Sequence, residues 1–408
     1  MGTAPARTVL ISGASIAGPA LAYWLHRHGF AVTVVEKADT IRVGGYPIDI
    51  RGTALEVVSR MGLLPRLRDA HVDSRNITFV DADGDRVGAV RPEVITGGVE
   101  GRDLEVRRGD LAEALYDAVR GDVEFLFGDW ITALHDHGGG VDVTFDSGAQ
   151  RTFDLVIGAD GLHSHTRGLV FGPEERYHHY LGNCFAGFTM PNHFALSHEA
   201  LMWNVPGRSA ILYAVGDGDH VYAFLNFARP EPPFDAFRDP EAQRDLVADV
   251  FSQDGWEIPR MVDAMRRADD LFFDVISQIH LPHWSSGRVA LAGDAAHAPS
   301  FLSGQGSSIA LVGAYVLAGE LAAQTDHSTA FTAYEERTRA FVELNQALAT
   351  TGGAYVLPGT AEELARRNHA LRDPARLPDD QGGWAATTAL TLPDYADVRR
   401  PYYADVRR

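Results

Sequence analysis

The sequence predicts an α/β protein in which a parallel, βαβ-type sheet is interleaved with a second, β-rich domain and closed by C-terminal helices. Three observations carry this. A strand–turn–helix–strand unit opens the chain over Thr8–Glu36, and short strands fill the stretch from about Phe185 to Phe227. A buried-type strand, Val289–Ala292, then returns late and feeds a long apolar helix, Gly306–Gln324. Text that leaves one pattern and rejoins it implies two woven domains, and 408 residues is long for a single core.

Thr8–Ser12 is an apolar run followed by a tight turn and a helical segment, Pro19–His28, which Gly29 stops before the second strand, Ala31–Glu36. That is the size of a parallel crossover unit. A helix follows at Thr53–Met61, and short strands between Ile77 and Val90 flank Asp83-Gly84. A helix from near Gly109 carries Leu111, Leu115 and Val119 on one face, and strands follow at Val123–Phe127, Val141–Phe145 and Phe153–Ala159. Ala210–Val215 and His220–Phe227 flank Gly216-Asp217-Gly218-Asp219, a hairpin signal. Further helices are expected at Asp239–Val250, Pro259–Arg267, Thr329–Ala349 and Ala361–Arg367. The resulting division assigns 1–73, 101–175 and 276–328 to the parallel-sheet domain and 74–100 and 176–275 to the β-sheet domain. A helical region takes 329–394, leaving 395–408 as a tail, where Tyr395–Arg400 is repeated as Tyr403–Arg408. The repeat is too short for a solenoid and reads as a polar tail or a cloning scar.

Composition narrows the function. With 45% hydrophobic and 22% charged residues the chain is an ordinary soluble globular sequence. A net charge of −19 argues against nucleic acid or an anionic membrane as partner. Lys37 is the only lysine, which removes Schiff-base chemistry. Cys184 is the only cysteine, so neither an intrachain disulfide nor a multi-cysteine metal site is expected, and no metal is assigned. No targeting segment is legible, and a cytoplasmic location is expected.

Three constellations carry chemistry. The first, Gly13-Ala14-Ser15-Ile16-Ala17-Gly18, follows a strand and opens a helix. Gly13 allows the tight turn, a small residue at Ser15 lets backbone approach a pyrophosphate, and Gly18 permits close helix–strand contact. The helix N-terminus adds free N–H groups and a positive dipole end. Ser15 replaces the usual middle glycine, but Glu36 ends the second strand, where a carboxylate accepts hydrogen bonds from a ribose. An ordinary βαβ turn without a ligand has the same appearance. A short-chain dehydrogenase turn is set aside, because its Tyr-x-x-x-Lys cannot be built around Lys37.

The second is Asp154-Leu155-Val156-Ile157-Gly158-Ala159-Asp160-Gly161, with Ser164 and Arg167 after it. It puts Asp160 at the carboxyl end of a strand, where α/β sheets bind ligands, although a plain Asp-Gly turn reads the same way. The third runs from Gly287 through Gly293-Asp294-Ala295-Ala296-His297 to Ser303-Gly304-Gln305-Gly306. Asp294 suits a polyol hydroxyl, and the Gly304–Gly306 loop offers N–H groups at a helix start. His297 is either an acid–base residue or a packed loop histidine.

In this order, the three segments resemble the signatures of class A flavoprotein monooxygenases, the para-hydroxybenzoate hydroxylase-like family that includes tetracycline-inactivating and polyketide aromatic hydroxylases. The resemblance covers the chain to about Asp394. It implies an FAD-binding Rossmann-like domain of the glutathione-reductase type and a β-sheet substrate domain. It further implies that Gly13, Ser15, Ile16, Ala17 and Gly18 meet the FAD pyrophosphate, with Glu36 and neighbouring Lys37 at the adenosine end, and that Asp294 binds the ribityl chain. Asp160 would serve both FAD and a passing nicotinamide. Arg108, before Gly109-Asp110-Leu111, looks like the flavin-contacting arginine. The loop Gly44–Gly52, with Asp49 and Arg51, resembles the segment beside the isoalloxazine, and Arg42 is a candidate nicotinamide contact. Gly304 and Gly306 flank the ring.

The implied reaction uses NADPH or NADH and O2, passes through a C4a-hydroperoxyflavin and oxygenates an aromatic or polyketide-like substrate, with no side chain nominated as a general base; the alternatives are a flavin-linked oxidase or reductase on the same fold and a catalytically silent FAD-binding protein. FAD is expected to be non-covalent, because Cys184 lies outside the three segments, and the protein to be a monomer or homodimer. Phe185, Tyr213, Tyr222, Phe224 and Phe301 are candidates for the substrate wall, the alternative being a sheet packed on its own helices. Phe301 stands where many relatives have proline, and Gly313 where some have aspartate. A halogenase on the same fold needs a lysine and a Trp-x-Trp-x-Ile-Pro segment; Asp254 precedes Trp256-Glu257-Ile258-Pro259, and no suitable lysine exists.

Overall fold

The computed structural model describes residues 6–42, 45–96, 98–99, 101–233, 236, 239–373, 381–396 and 398. Gly44 of the expected flavin loop and the second YADVRR copy lie outside the described residues.

Thr8–Ser12 pairs in parallel with Ala31–Glu36 on one side and Leu155–Gly158 on the other. Glu124–Phe127 extends this sheet beyond Ala31–Glu36, and Val289–Leu291 extends it beyond Leu155–Gly158, with the two-residue Ser285–Ser286 antiparallel at the edge. These strands read as near-continuous apolar runs because both faces are covered. On one face lie the helices Ala17–Arg27 and Gly306–Ala323; on the other a three-stranded sheet of Ile131–Asp136, Val141–Phe145 and Gln150–Phe153 packs through Val141, Val143 and Phe145. Gly306–Ala323 is apolar and long enough to span a bilayer, but nearly all of it is buried inside the fold.

The second sheet has seven strands in the order Phe272–Ile279, His178–Pro191, His220–Ala228, Arg208–Tyr213, Glu199–Val205, Asn76–Val80 and Arg86–Val90. One face buries its side chains against the helices Pro240–Val250 and Ile258–Arg267. Phe272–Ile279 runs across the boundary expected at 275/276, so the sheet domain extends to Ile279. Between the two sheets lies a ribbon of Pro47–Ile50 paired with Leu104–Arg107. The helix His327–Val356 is longer than Thr329–Ala349, and Asp326 caps its start.

The expected tail begins too early. Tyr395 is buried, its hydroxyl donates to Glu320 Oε1 at 2.5 Å, and its ring fills the space that a side chain at Gly319 would need. Tyr395, which opens the first copy of the repeat, is therefore anchored to the core helix, and Arg337 also pairs with buried Glu320 at 2.7 Å.

Candidate active site

At the end of Thr8–Ser12 the backbone turns through Gly13, which has φ +105° and donates its N–H to Val35 O at 2.8 Å. A Cβ on Gly13 would lie 2.4 Å from Ala159 O, and one on Gly18 would lie 1.9 Å from Gly13 O. Strand, turn and helix thus touch through bare backbone. Helix Ala17–Arg27 starts without a side-chain cap, although Ile16, Ala17 and Gly18 are buried. Below the turn, Glu36 accepts the N–H groups of Ala14 at 2.8 Å and Ala38 at 2.9 Å. Lys37 points away and lies over the Trp130 ring, 5.2 Å from its centroid. Arg42 is exposed.

Ser15 has a use that its departure from glycine does not announce: its Oγ accepts a hydrogen bond from Arg108 at 2.7 Å. Arg108 opens the helix Arg108–Asp117, and its backbone N–H donates to Tyr46 O. Its guanidinium also acts on Asp294. Burial raises the Asp294 carboxyl above the usual range, and the Arg108 charge draws it back. Among the described residues the Asp294 carboxylate has no hydrogen-bond partner. Gln305, 1% exposed, leaves both amide atoms unpartnered. Gly304 adopts φ +65°, and a Cβ there would sit 3.2 Å from Asp49 Oδ2, while Asp49 pairs with Arg51 at 2.7 Å. The Arg51 N–H donates to Ser308 Oγ, tying the ribbon to the long helix. Contacts thus bring residues 13–18, 36, 49–51, 108, 294 and 304–306 into one region of the fold.

Asp160 touches this region differently. Its carboxylate accepts from Ser12, Ser164 and both the N–H and hydroxyl of Thr166. It fastens the start of helix His165–Phe171 to the first strand, so any contribution to a nucleotide runs through the backbone it positions.

Packed against this region from the seven-stranded sheet is an aromatic box. Phe301 stacks on Phe185 with centroids 4.7 Å apart and planes 15° apart, and both Tyr46 and Phe224 lie 6.0 Å from Phe301. Ile276 completes the buried part, with Tyr222, Ile211, Leu181 and Leu302 packed around it. Tyr213 packs with a neighbouring cluster instead, towards Glu105 and Ser74. Tyr46, Leu181, Ile211, Ile276 and Leu302 escaped the sequence reading. Tyr46, an aromatic between Gly45 and Asp49, carried a usable signal; Ile276 carried none, since its strand went unread.

A family profile described as FAD binding domain matches residues 6–348. The chain belongs to the FAD-binding-domain family of flavin-dependent monooxygenases. It is 38% identical over 395 residues to a flavin-dependent monooxygenase from an unknown prokaryotic organism, covering 95% of this chain and 99% of that one. An uncharacterised protein of Mycobacterium tuberculosis is 45% identical over 367 residues, 90% of this chain and 98% of the other. The crystal structure of tetracycline destructase Tet(55) superposes with a TM-score of 0.83 at 35% identity, covering 96% and 99% of the two chains.

The residues present fit the cofactor of such a flavoprotein. A buried, uncapped helix start and an unpartnered, buried Gln305 carboxamide are costly in a protein alone, and a dinucleotide supplies missing partners. Cys184 lies on the face of the seven-stranded sheet opposite the aromatic box, fully buried among its helices. His297 is packed: it contacts Trp284 and Tyr334, and burial holds its imidazole down at about 3. Trp256, from the halogenase-like segment, stacks on Trp203 under Gly84 and serves the core.

Two titratable groups beside the site stand out in this flavoprotein. Glu105, opposite Asp49 in the ribbon, is pushed above the usual carboxylate range by burial and by the Asp49 charge. His163, just past Asp160-Gly161, donates to Glu174 at 2.7 Å and to Asp274 at 3.1 Å. Burial alone would lower its pKa, but these two carboxylates push it up to about 10. It therefore bridges the two sheets as an imidazolium. A raised folded pKa stabilises fully below the unfolded value of about 6.5, and that contribution is lost as pH climbs through about 10. The melting-temperature gap between wild type and His163→Gln should therefore narrow steadily from pH 6 to pH 10. A gap that stays constant would place the effect in packing.

Proposed function

We propose that this monooxygenase hydroxylates an aromatic, polycyclic substrate lying on the Phe185–Phe301 box, with NADPH or NADH as reductant and O2 as oxidant. The observation that carries the reading is the box itself: aromatic rings of the second sheet pack on Phe301, in the same loop as Gly304 and the unpartnered Gln305 carboxamide. The 35% identity to a protein described as a tetracycline destructase supports a multi-ring substrate. The segments 1–73, 101–175 and 276–328 would form the flavin domain, apart from the strand end that belongs to the sheet, and 74–100 with 176–275 the substrate domain. The lone buried thiol, Cys184, suits a cytoplasmic protein.

When bound, FAD supplies hydride acceptance from the nicotinamide and activation of O2. Glu36 would hold the adenosine ribose, and the N–H groups of residues 14–18 the pyrophosphate. Asp294 would accept hydrogen bonds from the ribityl hydroxyls, with Arg108 tethered by Ser15 at its side. The N–H groups at Gly304–Gly306 would face the ring, where negative charge develops. Phe301, Phe185 and Tyr46 would exclude water from the reacting face.

The test is NAD(P)H oxidation and O2 uptake against a panel of single-ring phenols and hydroxylated polycycles, with mass spectrometry of the product. Stimulation by polycycles with gain of one oxygen atom is expected; stimulation without oxygen gain would make this member an oxidase or reductase. Asp294→Ala should weaken FAD binding by roughly tenfold or more, because charge-assisted hydrogen bonds contribute about 1.5–3 kcal/mol. Unchanged FAD affinity in the folded variant would remove Asp294 from the site.

A further inference from the structure

Next to the aromatic box is a second space that the reading above does not use. A cavity of about 630 Å³ opens between the start of strand His178–Pro191, the end of Phe272–Ile279 and the C-terminal half of helix His327–Val356. Its lining is mixed, with His179, Asn183, His280, Glu343 and Thr350 adding polar groups to apolar walls. His280 Nε2 is 2.9 Å from Gln278 Oε1, and the Gln278 amide nitrogen donates to two carbonyls, so that wall is fixed. The His179 ring and the Thr350 hydroxyl, by contrast, have no hydrogen-bond partner among the described residues and are open to a ligand.

The partition between the two spaces is thin. Leu181 and Leu302 line the cavity and also pack against the box. Leu302 lies in the single turn Phe301–Ser303, launched from Ser300 at φ +87°, a backbone conformation that non-glycine residues rarely hold. On the helix side, Gly353 leaves room for it: a Cβ there would come within 3.2 Å of Leu302 Cδ1. The loop that presents Gly304–Gly306 to the flavin therefore also carries the side chain that separates box from cavity.

We propose that the cavity is the substrate's route to the flavin and the subsite for its polar end. This rests on the polycyclic reading above. An elongated, hydroxylated polycycle lays its reacting ring on Phe301, displaces Leu302, and hydrogen-bonds its hydroxyl- or amide-bearing end to His179 and Thr350. The volume falls in the range of small-molecule sites, and a single phenol ring is too short to occupy box and cavity together. Glu343 at the rim disfavours a carboxylate on that end.

Because Cys184 is the only cysteine and is fully buried, Ala347→Cys, on the cavity wall, creates one reactive thiol in the holoenzyme. Its rate of labelling by a maleimide is measured alone, with tetracycline and with phenol. Tetracycline is expected to slow labelling by roughly tenfold or more, as site occupancy at ten times Kd requires, while phenol leaves it unchanged. In parallel, Ala347→Trp, which fills the cavity, should raise the KM for tetracycline by about tenfold with FAD content and kcat preserved. Labelling that tetracycline does not slow overturns the inference. If tetracycline then still stimulates NAD(P)H oxidation, only the subsite is lost; if neither it nor any other polycycle of the panel stimulates oxidation, the polycyclic reading falls too.

Discussion

Alanine at position 18 should give a folded protein that purifies without its yellow cofactor. The added methyl would meet the Gly13 carbonyl oxygen at 1.9 Å, and both groups belong to backbone, so no side-chain rotation relieves the contact. The turn itself must move. It carries the N–H groups of Ala14 and its neighbours, and Glu36 is hydrogen-bonded to it, so the phosphate-facing and ribose-facing groups shift together. A hundredfold or greater loss of FAD affinity, about 2.7 kcal/mol, is the expected scale. The 450-to-280 nm absorbance ratio reads occupancy, and far-UV circular dichroism checks the fold. Gly168→Ala is the control: it is also helical, with nothing within 4 Å of the added carbon, and should keep its flavin. Full occupancy in a folded Gly18→Ala protein would detach this turn from the nucleotide site.

Phe301→Ala should separate NAD(P)H consumption from product formation. The ring stacks on Phe185, has Tyr46 and Phe224 close by, and is only half-buried, so its removal opens the box to water. Flavin reduction needs none of these contacts and should persist. Activated oxygen, no longer in a dry site, should escape as hydrogen peroxide, while the oxygenated fraction falls. Truncating a buried phenylalanine costs roughly 3–5 kcal/mol, and this half-exposed one should cost less. A variant that melts far earlier yet couples normally at low temperature would show that Phe301 only packs the fold.

The parallel sheet was legible because its strands are short apolar runs punctuated by glycine: Ala31–Glu36 was read to the residue, and Thr8–Ser12 likewise. The turns at Gly13, Gly18 and Gly304 were legible for the same reason, since each is a matter of local backbone geometry. Phe272–Ile279 was missed because its apolar residues come in adjacent pairs without turn residues at both ends, and its place is fixed only by the partner strand His178–Pro191. The ribbon Pro47–Ile50 with Leu104–Arg107 was also missed, because four-residue strands far apart in sequence declare themselves only when paired. Tyr213 was placed on the box by strand alternation, but alternation gives the face and not the neighbour; Glu105 approaches that end of the sheet. Arg108's tether to Ser15 joins residues on different elements, so no local pattern announces it.

The order in which the parallel sheet acquires its strands has a consequence for synthesis on the ribosome. Leu155–Gly158 is hydrogen-bonded on one side to Thr8–Ser12 and on the other to Val289–Leu291. A nascent chain that has released only its first 280 or so residues has made the entire seven-stranded sheet but lacks the last partner of the parallel one. During that interval Val156 and Ile157, fully buried at the end, border an unpaired edge that invites pairing with another chain. Long-range closure of this kind is slow, so the window is a natural one for a chaperone to hold. The candidate site cannot assemble before it closes, because Asp294 and the Gly304–Gly306 loop leave the ribosome after the strand that carries them.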